Sequence, residues 1–366
     1  MLFGARLGQA CLMSESPRPI AAPWWRPDRF APKRAFLHRR AAMLRQTRDF
    51  FHERGFLEVD PPALQVSPGL EPHLHAVGAD LHRPEGTALR RYLHTSPEFT
   101  MKKLLAAGER QIYALGHVWR DREGSDTHSP EFTMLEWYRV GANYRDLMAD
   151  CEGLIRAVTA GEPLRRGDLV VSVTEPFERL TVVDAFQKFC GIDLLASAPD
   201  PKRPGSDAPA AAILAQDARR LGVRVAEGDR WDDIVFRLMF DFIEPHLGRD
   251  RPTFLIDYPI SMAALARPKP EDPRLAERFE LYAAGVELAN AFGELTDAEE
   301  QRARFGADMD LKQALYGERY PIDEDFLAAL AHGLPASAGI ALGFDRLVLL
   351  ATGAERLADV LWAEVQ

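Results

Sequence analysis

The sequence predicts an α+β protein, an antiparallel sheet flanked by helices. Three observations lead there. From Arg34 to Arg54 the apolar residues Leu37, Ala41, Leu44 and Phe51 fall at helical spacing, and Gly55 closes the stretch. The hexapeptide Ser-Pro-Glu-Phe-Thr-Met occurs at Ser96–Met101 and again at Ser129–Met134, with flanks that favour a helix once and a strand once. Phe279 to Leu288 alternates apolar and polar residues around Ala283-Ala284-Gly285, which reads as an antiparallel hairpin.

Residues 1–32 are rich in Pro and Arg and read as a flexible basic arm; residues 33–366 are expected to form one catalytic-size domain. After the helix that follows the arm, Phe56-Leu57-Glu58-Val59-Asp60-Pro61-Pro62 reads as a strand stopped by prolines. In the first hexapeptide Ser96 is a helix cap, Pro97 suits the first helical position and Glu98 favours the first turn. Met101, Leu104 and Leu105 then make a short apolar stripe, closed by Gly108. The second hexapeptide runs into Thr133–Val140, rich in strand formers. As a strand it places Glu136 and Tyr138 on one face, Leu135 and Trp137 on the other. A surface loop is expected over 196–212, a helix over 230–247, and an apolar strand over 253–258. Gly339–Leu350 reads as a small-residue strand running into an apolar helix.

A helical-repeat scaffold is excluded, although the hexapeptides lie 33 residues apart. Their flanks do not match, there is no third copy, and a solenoid needs about three units to bury a core. The net charge of −10 argues against broad binding to nucleic acid. Charge is uneven: residues 1–40 hold eight Lys/Arg and two Asp/Glu, a net of +6, which leaves −16 for the rest. Cys11, Cys151 and Cys190 form no CxxC pair, and no apolar run approaches the ~20 residues that cross a bilayer. A cytoplasmic protein without a membrane partner is expected.

Several segments suggest chemistry. A carboxylate and a phenol aimed the same way, Glu136 and Tyr138, suit a cationic group, or else form a solvated strand side. Across the hairpin Glu280 and Glu287 are expected to come close to opposite each other, which motivates Mg²⁺ bound to hard oxygen ligands. The alternative is a helix carrying Glu280, Glu287 and Glu294 on one solvated face. Arg346 at a helix start is unfavourable against the dipole unless an anion binds there. His73 and His75 suit either a metal pair or a loop.

Together these segments resemble class II aminoacyl-tRNA synthetases. Gly55 to Pro62 resembles motif 1, which ends in proline at the dimer interface. Trp119-Arg120-Asp121-Arg122-Glu123 with His128-Ser129-Pro130-Glu131-Phe132 resembles motif 2, and Gly339 to Arg346 resembles motif 3. Phe132–Tyr138 and Gly285–Leu295 are most similar to lysyl-tRNA synthetases. Only about thirty residues precede the motif 1 helix, too few for the anticodon-binding domain of those enzymes. The chain therefore resembles the elongation factor P lysine ligase family, which activates lysine, preferably (R)-β-lysine, with ATP and transfers the acyl group to a lysine of elongation factor P.

The resemblance implies roles. Arg120 would grip the α-phosphate and the substrate carboxylate. Phe132 would stack on adenine, with Asp121, Arg122, Ser129, Leu288 and Gly343 also around the nucleotide and Arg346 near its phosphates. Glu287 with Glu280 would hold Mg²⁺. Ser96, Pro97 and Glu98 would line the site of one substrate amino group, Asn290 would meet the carboxylate end, and Glu294, Tyr138 and Glu136 would surround the other ammonium. Ala341 stands where lysyl-tRNA synthetases have glycine, the ligase-like choice. Asp121 and Arg122 depart from the usual Asn and Glu of motif 2, which leaves adenine recognition to Glu123 or backbone. A homodimer through the motif 1 region is implied, elongation factor P is the implied protein partner, and no tRNA is expected.

Overall fold

The computed structural model describes residues 23–200 and 206–365. The segment 1–22, most of the expected arm, lies outside them. Residues 23–33 are not extended: Pro27–Phe30 is a helical turn and Ala31–Lys33 a 3₁₀ turn. Lys33 Nζ donates to Leu361 O at 3.0 Å, tying this stretch to the chain's far end.

An eight-stranded sheet organises the molecule. Its order is Leu57–Glu58, Gln111–Trp119, Glu131–Val140, Ser337–Gly343, Val286–Gly293, Leu275–Ala283, Thr253–Pro259, Glu178–Thr181. The inner pairings are antiparallel, and only the two outermost strands pair parallel. Strand alternation sorts side chains to two faces. Leu135, Trp137, Phe279, Leu281, Ala289, Ala291, Ile340 and Leu342 enter the main core. Against them pack the helices Arg34–His52, Tyr144–Thr159 and Phe344–Thr352 through Phe51, Leu147, Ile155, Leu347 and Leu350. Phe51 stacks on Tyr113 at 4.7 Å and touches Trp137 at 5.3 Å. The opposite face presents Glu136, Tyr138, Gly339, Ala341, Asn290 and Phe292. It is roofed by the helices Glu98–Ala106, Ala298–Tyr316 and Glu324–Gly333, which share their own apolar cluster around Phe99, Phe305 and Phe326.

One buried contact ties the Arg34–His52 helix to the strand Glu131–Val140 and to the start of the helix Phe344–Thr352. Arg40, on the Arg34–His52 helix, pairs with Asp345, and its Nη2 donates to Thr133 Oγ1 at 2.7 Å. Thr133 N in turn donates to Asp345 Oδ2 at 2.9 Å. Breaking a buried pair of this kind costs about 3–5 kcal/mol, because the surviving charge is left unpaired in low dielectric.

Several boundaries differ from the sequence expectation. The motif 1 strand is only Leu57–Glu58, since it pairs on one side and Pro61 and Pro62 cannot donate to a ladder. The expected loop 196–212 gives way to a helix from Asp207 to Arg220, which buries Ala210, Ala211 and Leu214; Pro209 is tolerated in the first helical turn. The helix over 230–247 is α-helical only over Trp231–Leu238, then widens to a π turn and tightens to a 3₁₀ turn. The first-hexapeptide helix starts at Glu98, with Pro97 as its cap position, while Ser96 Oγ accepts from Glu98 N at 3.1 Å.

Candidate functional site

The hairpin forms, Leu275–Ala283 against Val286–Gly293, so the helical alternative for Glu280, Glu287 and Glu294 is excluded. Its register corrects one expectation. The turn at Ala284-Gly285 pairs Glu287 with Tyr282, and a bulge between Leu281 and Tyr282 then pairs Glu280 with Asn290, so the two glutamates are not opposite each other. Asn290 pairs onward with Ala341, and Ala341 with Glu136. Glu136, Ala341, Asn290 and Glu280 thus form one row across four strands, and Tyr138, Gly339, Phe292 and Arg278 form the next.

Above these rows lies a cavity of about 560 Å³. Its walls include Ser96, Pro97, Glu98, Arg120, Ser129, Phe132, Glu136, Tyr138, Glu287, Leu288, Asn290, Ala341, Gly343 and Arg346, so the structure brings together most of the residues singled out in the sequence. Four others do not reach the wall. Asp121 and Arg122 turn outward: Arg122 pairs with Glu318 and contacts His75 Nε2 at 3.4 Å. Glu123 lines the cavity in their place. Glu280 stands at the far end of its row, and Glu294 sits behind Gly339, where an added Cβ would meet its carboxylate and the Tyr138 ring.

One end of the cavity is a buried acidic group. Glu136, 1% exposed, accepts from Ser96 Oγ at 2.7 Å and from Tyr138 Oη at 2.6 Å. Burial, reinforced by Glu98, pushes its carboxyl up to about 8. The solvated-side alternative for Glu136 and Tyr138 is therefore excluded. Behind them Lys102, 0% exposed, lies between Glu98 and Glu294, 2.5 Å from Glu294 Oε2. Burial favours the neutral amine, but Glu294 and Glu98 outweigh it and hold Lys102 protonated. Burial raises the Glu294 carboxyl, Lys102 pulls it down, and the rise wins. Sequence reasoning missed Lys102, whose only signal was its i,i+4 spacing from Glu98.

At the other end the groups are cationic. Arg120 lies over the Phe132 ring at 5.2 Å, and its buried Nε has no hydrogen-bond partner. Burial lowers its pKa against the counter-pull of Glu71, Glu287 and Glu123. A buried guanidinium with an unused donor suits an anion. Arg346 answers the dipole problem of its helix start by donating to Glu287 O at 2.9 Å and Thr127 O at 3.3 Å, with the Glu287 carboxylate 3.8 Å away. Between the two ends, Arg278 donates to Asn290 Oδ1 at 3.2 Å, which leaves the Asn290 NH₂ as the group offered to a ligand. Arg278 also was not singled out from the sequence.

The metal expectation divides. Burial and then Glu280 raise the Glu287 carboxyl to about 7, and it faces the cavity. Glu280 instead accepts from Tyr258 at 2.6 Å and from Arg278 and Tyr282 at 2.7 Å each, which leaves little oxygen capacity for an ion. Among the described residues no group of three His, Cys, Asp or Glu converges as a metal site. His73 and His75 are not a metal pair: His73 contacts Tyr316 Oη and His75 contacts Glu318, each at 2.9 Å. No helix among the described residues is long and apolar enough to cross a membrane.

Residues 29–362 match the family model of tRNA synthetases class II (D, K and N). The chain is 41% identical over 329 residues to the elongation factor P--(R)-beta-lysine ligase of Vibrio cholerae, covering 88% of this chain and 93% of that one. To the ligase of the same name from Edwardsiella ictaluri it is 41% identical over 344 residues, 92% and 96% of the two chains. It is 37% identical over 333 residues to a lysine--tRNA ligase of Dehalococcoides mccartyi, covering 88% of this chain but only 62% of that protein.

Proposed function

This chain belongs to the class II tRNA synthetase family, and on that premise we propose that it is an ATP-dependent ligase that activates lysine or (R)-β-lysine as an acyl-adenylate and passes the acyl group to a lysine of elongation factor P. One observation carries the reading: a single cavity sets a buried acidic group, Glu136 with Tyr138 and Glu98, opposite the buried and unsatisfied Arg120. Such a cavity reads a molecule with ammonium at one end and carboxylate at the other. The near end-to-end match to ligases of that name supports the acceptor.

In the first step the substrate carboxylate attacks the α-phosphorus of ATP, and pyrophosphate leaves. Arg120 neutralises charge at that centre, Asn290 NH₂ orients the carboxylate, and Phe132 offers a face for adenine, with Glu123 on the cavity wall in place of Asp121 and Arg122. No side-chain nucleophile is required; positioning and electrostatics suffice. Magnesium, held by Glu287 with Glu280 behind it as a fixed charge, would offset the phosphate charge. Ala341 fills the floor between Glu136 and Asn290 with a methyl group, which shapes the pocket for the amino acid. A homodimer through the motif 1 region fits the exposed Leu57 on the edge strand, with Leu64 and Val66 exposed nearby.

The test is incubation with ATP, Mg²⁺ and either α-lysine or (R)-β-lysine, with elongation factor P or tRNA as acceptor. Added mass on elongation factor P, with AMP released, is the expected result. Charging of tRNA alone would replace the acceptor in this reading, and no adenylate with either amino acid would end it.

A further inference from the structure

The cavity does not stop at Arg120. Its wall also includes the Leu70-Glu71-Pro72 turn, Phe305 and Asp308 on the Ala298–Tyr316 helix, and Asp232 at the start of the Trp231–Leu238 helix. The activation step uses none of these groups. Asp232 is partly occupied, accepting from Ser261 Oγ at 3.0 Å and from Arg230 at 3.3 Å. Two acceptors are not. Glu71 Oε2 is buried without a hydrogen-bond partner, and so is Oε1 of Gln301, a residue 1% exposed on the same cavity wall. Gly69, at φ +127°, turns the chain so tightly that a Cβ there would lie 2.9 Å from Glu71 Oε2, so the carboxylate is held by backbone shape.

Unsatisfied buried acceptors call for a donor, and the surrounding charge calls for a cation. No group of three carboxylates or histidines among the described residues converges on a metal ion. The cation must therefore bring its own stem, and Leu70, Phe305 and Leu311 on the cavity wall suit an aliphatic one. A primary ammonium, with three donors on an apolar chain, has that chemistry.

We propose that this part of the cavity wall admits the acceptor amine, a lysine side chain of the protein substrate, and that Glu71 takes the proton the amine must lose before it can attack. The inference rests on the ligase reading given above. Glu71 lines the same cavity as Arg120 and Glu98, the groups between which the reacting carbonyl would lie. Burial raises its carboxyl, as does Glu98, against Arg120 and Lys102. Asp308 is raised to about 7, by burial and then by Glu71, against Arg230 and Arg304, with Asp232 adding to the rise. A buried carboxyl raised above its ordinary value, with an oxygen left free to accept, is suited to general-base work.

The step balances as follows. The acceptor ammonium gives one proton to Glu71. The freed lone pair attacks the carbonyl carbon of the acyl-adenylate, and a C–N bond forms. The bond from that carbon to the phosphate oxygen breaks, its electron pair leaving on AMP. The second proton passes from the amide nitrogen to the departing phosphate and on to water.

The test separates the two half-reactions in Glu71→Gln. Hydroxylamine is uncharged at neutral pH and captures the adenylate without a base. Hydroxamate formation by E71Q is expected within about threefold of the parent, while single-turnover transfer to elongation factor P falls by about 10²–10⁴-fold. The parent's transfer rate rises with pH as Glu71 ionises, and E71Q loses that inflection. Asp308→Asn is expected to raise KM for the acceptor protein and leave transfer at saturation nearly intact. Transfer by E71Q at the parent rate would overturn the proposal. So would equal loss of both half-reactions, which would assign Glu71 to activation or folding. Absence of hydroxamate from the parent protein would remove the activation reading, and this one with it.

Discussion

Lys102→Met removes the one cation between Glu98 and Glu294 while keeping a side chain of similar length and an apolar stem. Both carboxylates then stay buried: Glu294 is 1% exposed and its oxygens lie where water cannot solvate them. Removing one partner of such a group costs about 3–5 kcal/mol. At about 2.1 cal/mol/K of unfolding entropy per residue, a chain of 366 residues carries about 0.8 kcal/mol/K, so the expected fall in Tm is about 4–7 °C. The loss must depend on pH in a fixed direction. Lys102 stays charged across the neutral range, whereas the stranded carboxylates can escape their repulsion only by taking protons. The deficit is therefore largest near pH 8 and shrinks toward pH 5, as the raised Glu294 carboxyl becomes neutral. Scanning calorimetry of parent and variant at pH 5, 6.5 and 8 measures it. A deficit under about 1 °C, or one that does not move with pH, would refute the reasoning and return this ion triad to the value of a surface pair.

Two further outcomes follow from the same end of the cavity. Glu136 holds its proton up to about pH 8 in the folded state, well above its unfolded value of 4.5. The fold thus loses stability as pH rises from about 4.5 to 8, and an ammonium ligand, which needs the carboxylate, must expel that proton when it binds below pH 8. Lysine affinity should improve by up to about tenfold per pH unit toward pH 8 and then level off; calorimetric titration at pH 7 in two buffers of different ionisation heat should show proton release, and none would put the ammonium elsewhere. Gly339→Ala drives a methyl group onto the Tyr138 ring and the Glu294 carboxylate. Hydroxamate assays should show KM for lysine raised by about 1–3 kcal/mol of lost binding, the cost of overpacking a tight site, and an unchanged KM would mean the pocket floor lies away from Gly339.

What was legible in the sequence was what local pattern controls. The alternation Leu135-Glu136-Trp137-Tyr138 fixes which face each side chain takes once the segment is a strand, and Trp137 and Tyr138 lie as the period of two requires. The duplicated hexapeptide was decided by its flanks: Lys102-Lys103-Leu104-Leu105 continues a helix, while Leu135–Tyr138 continues a strand. Register was not legible. The turn falls at Ala284-Gly285 and one residue bulges on the return strand; together they set Asn290 rather than Glu287 opposite Glu280, and nothing in the run of residues marks the bulge.

The missed residues share a physical cause. Arg40 meets Asp345 across 305 positions of chain, and Glu71 meets Arg120 only because two separate turns fold into one cavity. Each looks like an ordinary surface charge until the fold removes its water. That reversal also explains why Lys102 escaped notice. A helix with Glu98 and Lys102 four apart reads as a solvated pair worth a few tenths of a kcal/mol. The same pair, closed by Glu294 from another strand, becomes the charge balance of the amine pocket. Burial, set by long-range packing, converts a weak local signal into the strongest electrostatic feature of the site. It follows that the carboxylates around the proposed ammonium site are partly neutralised by protons and partly by Lys102 before any ligand arrives, so an amine bound there would compete with those protons rather than with solvent alone.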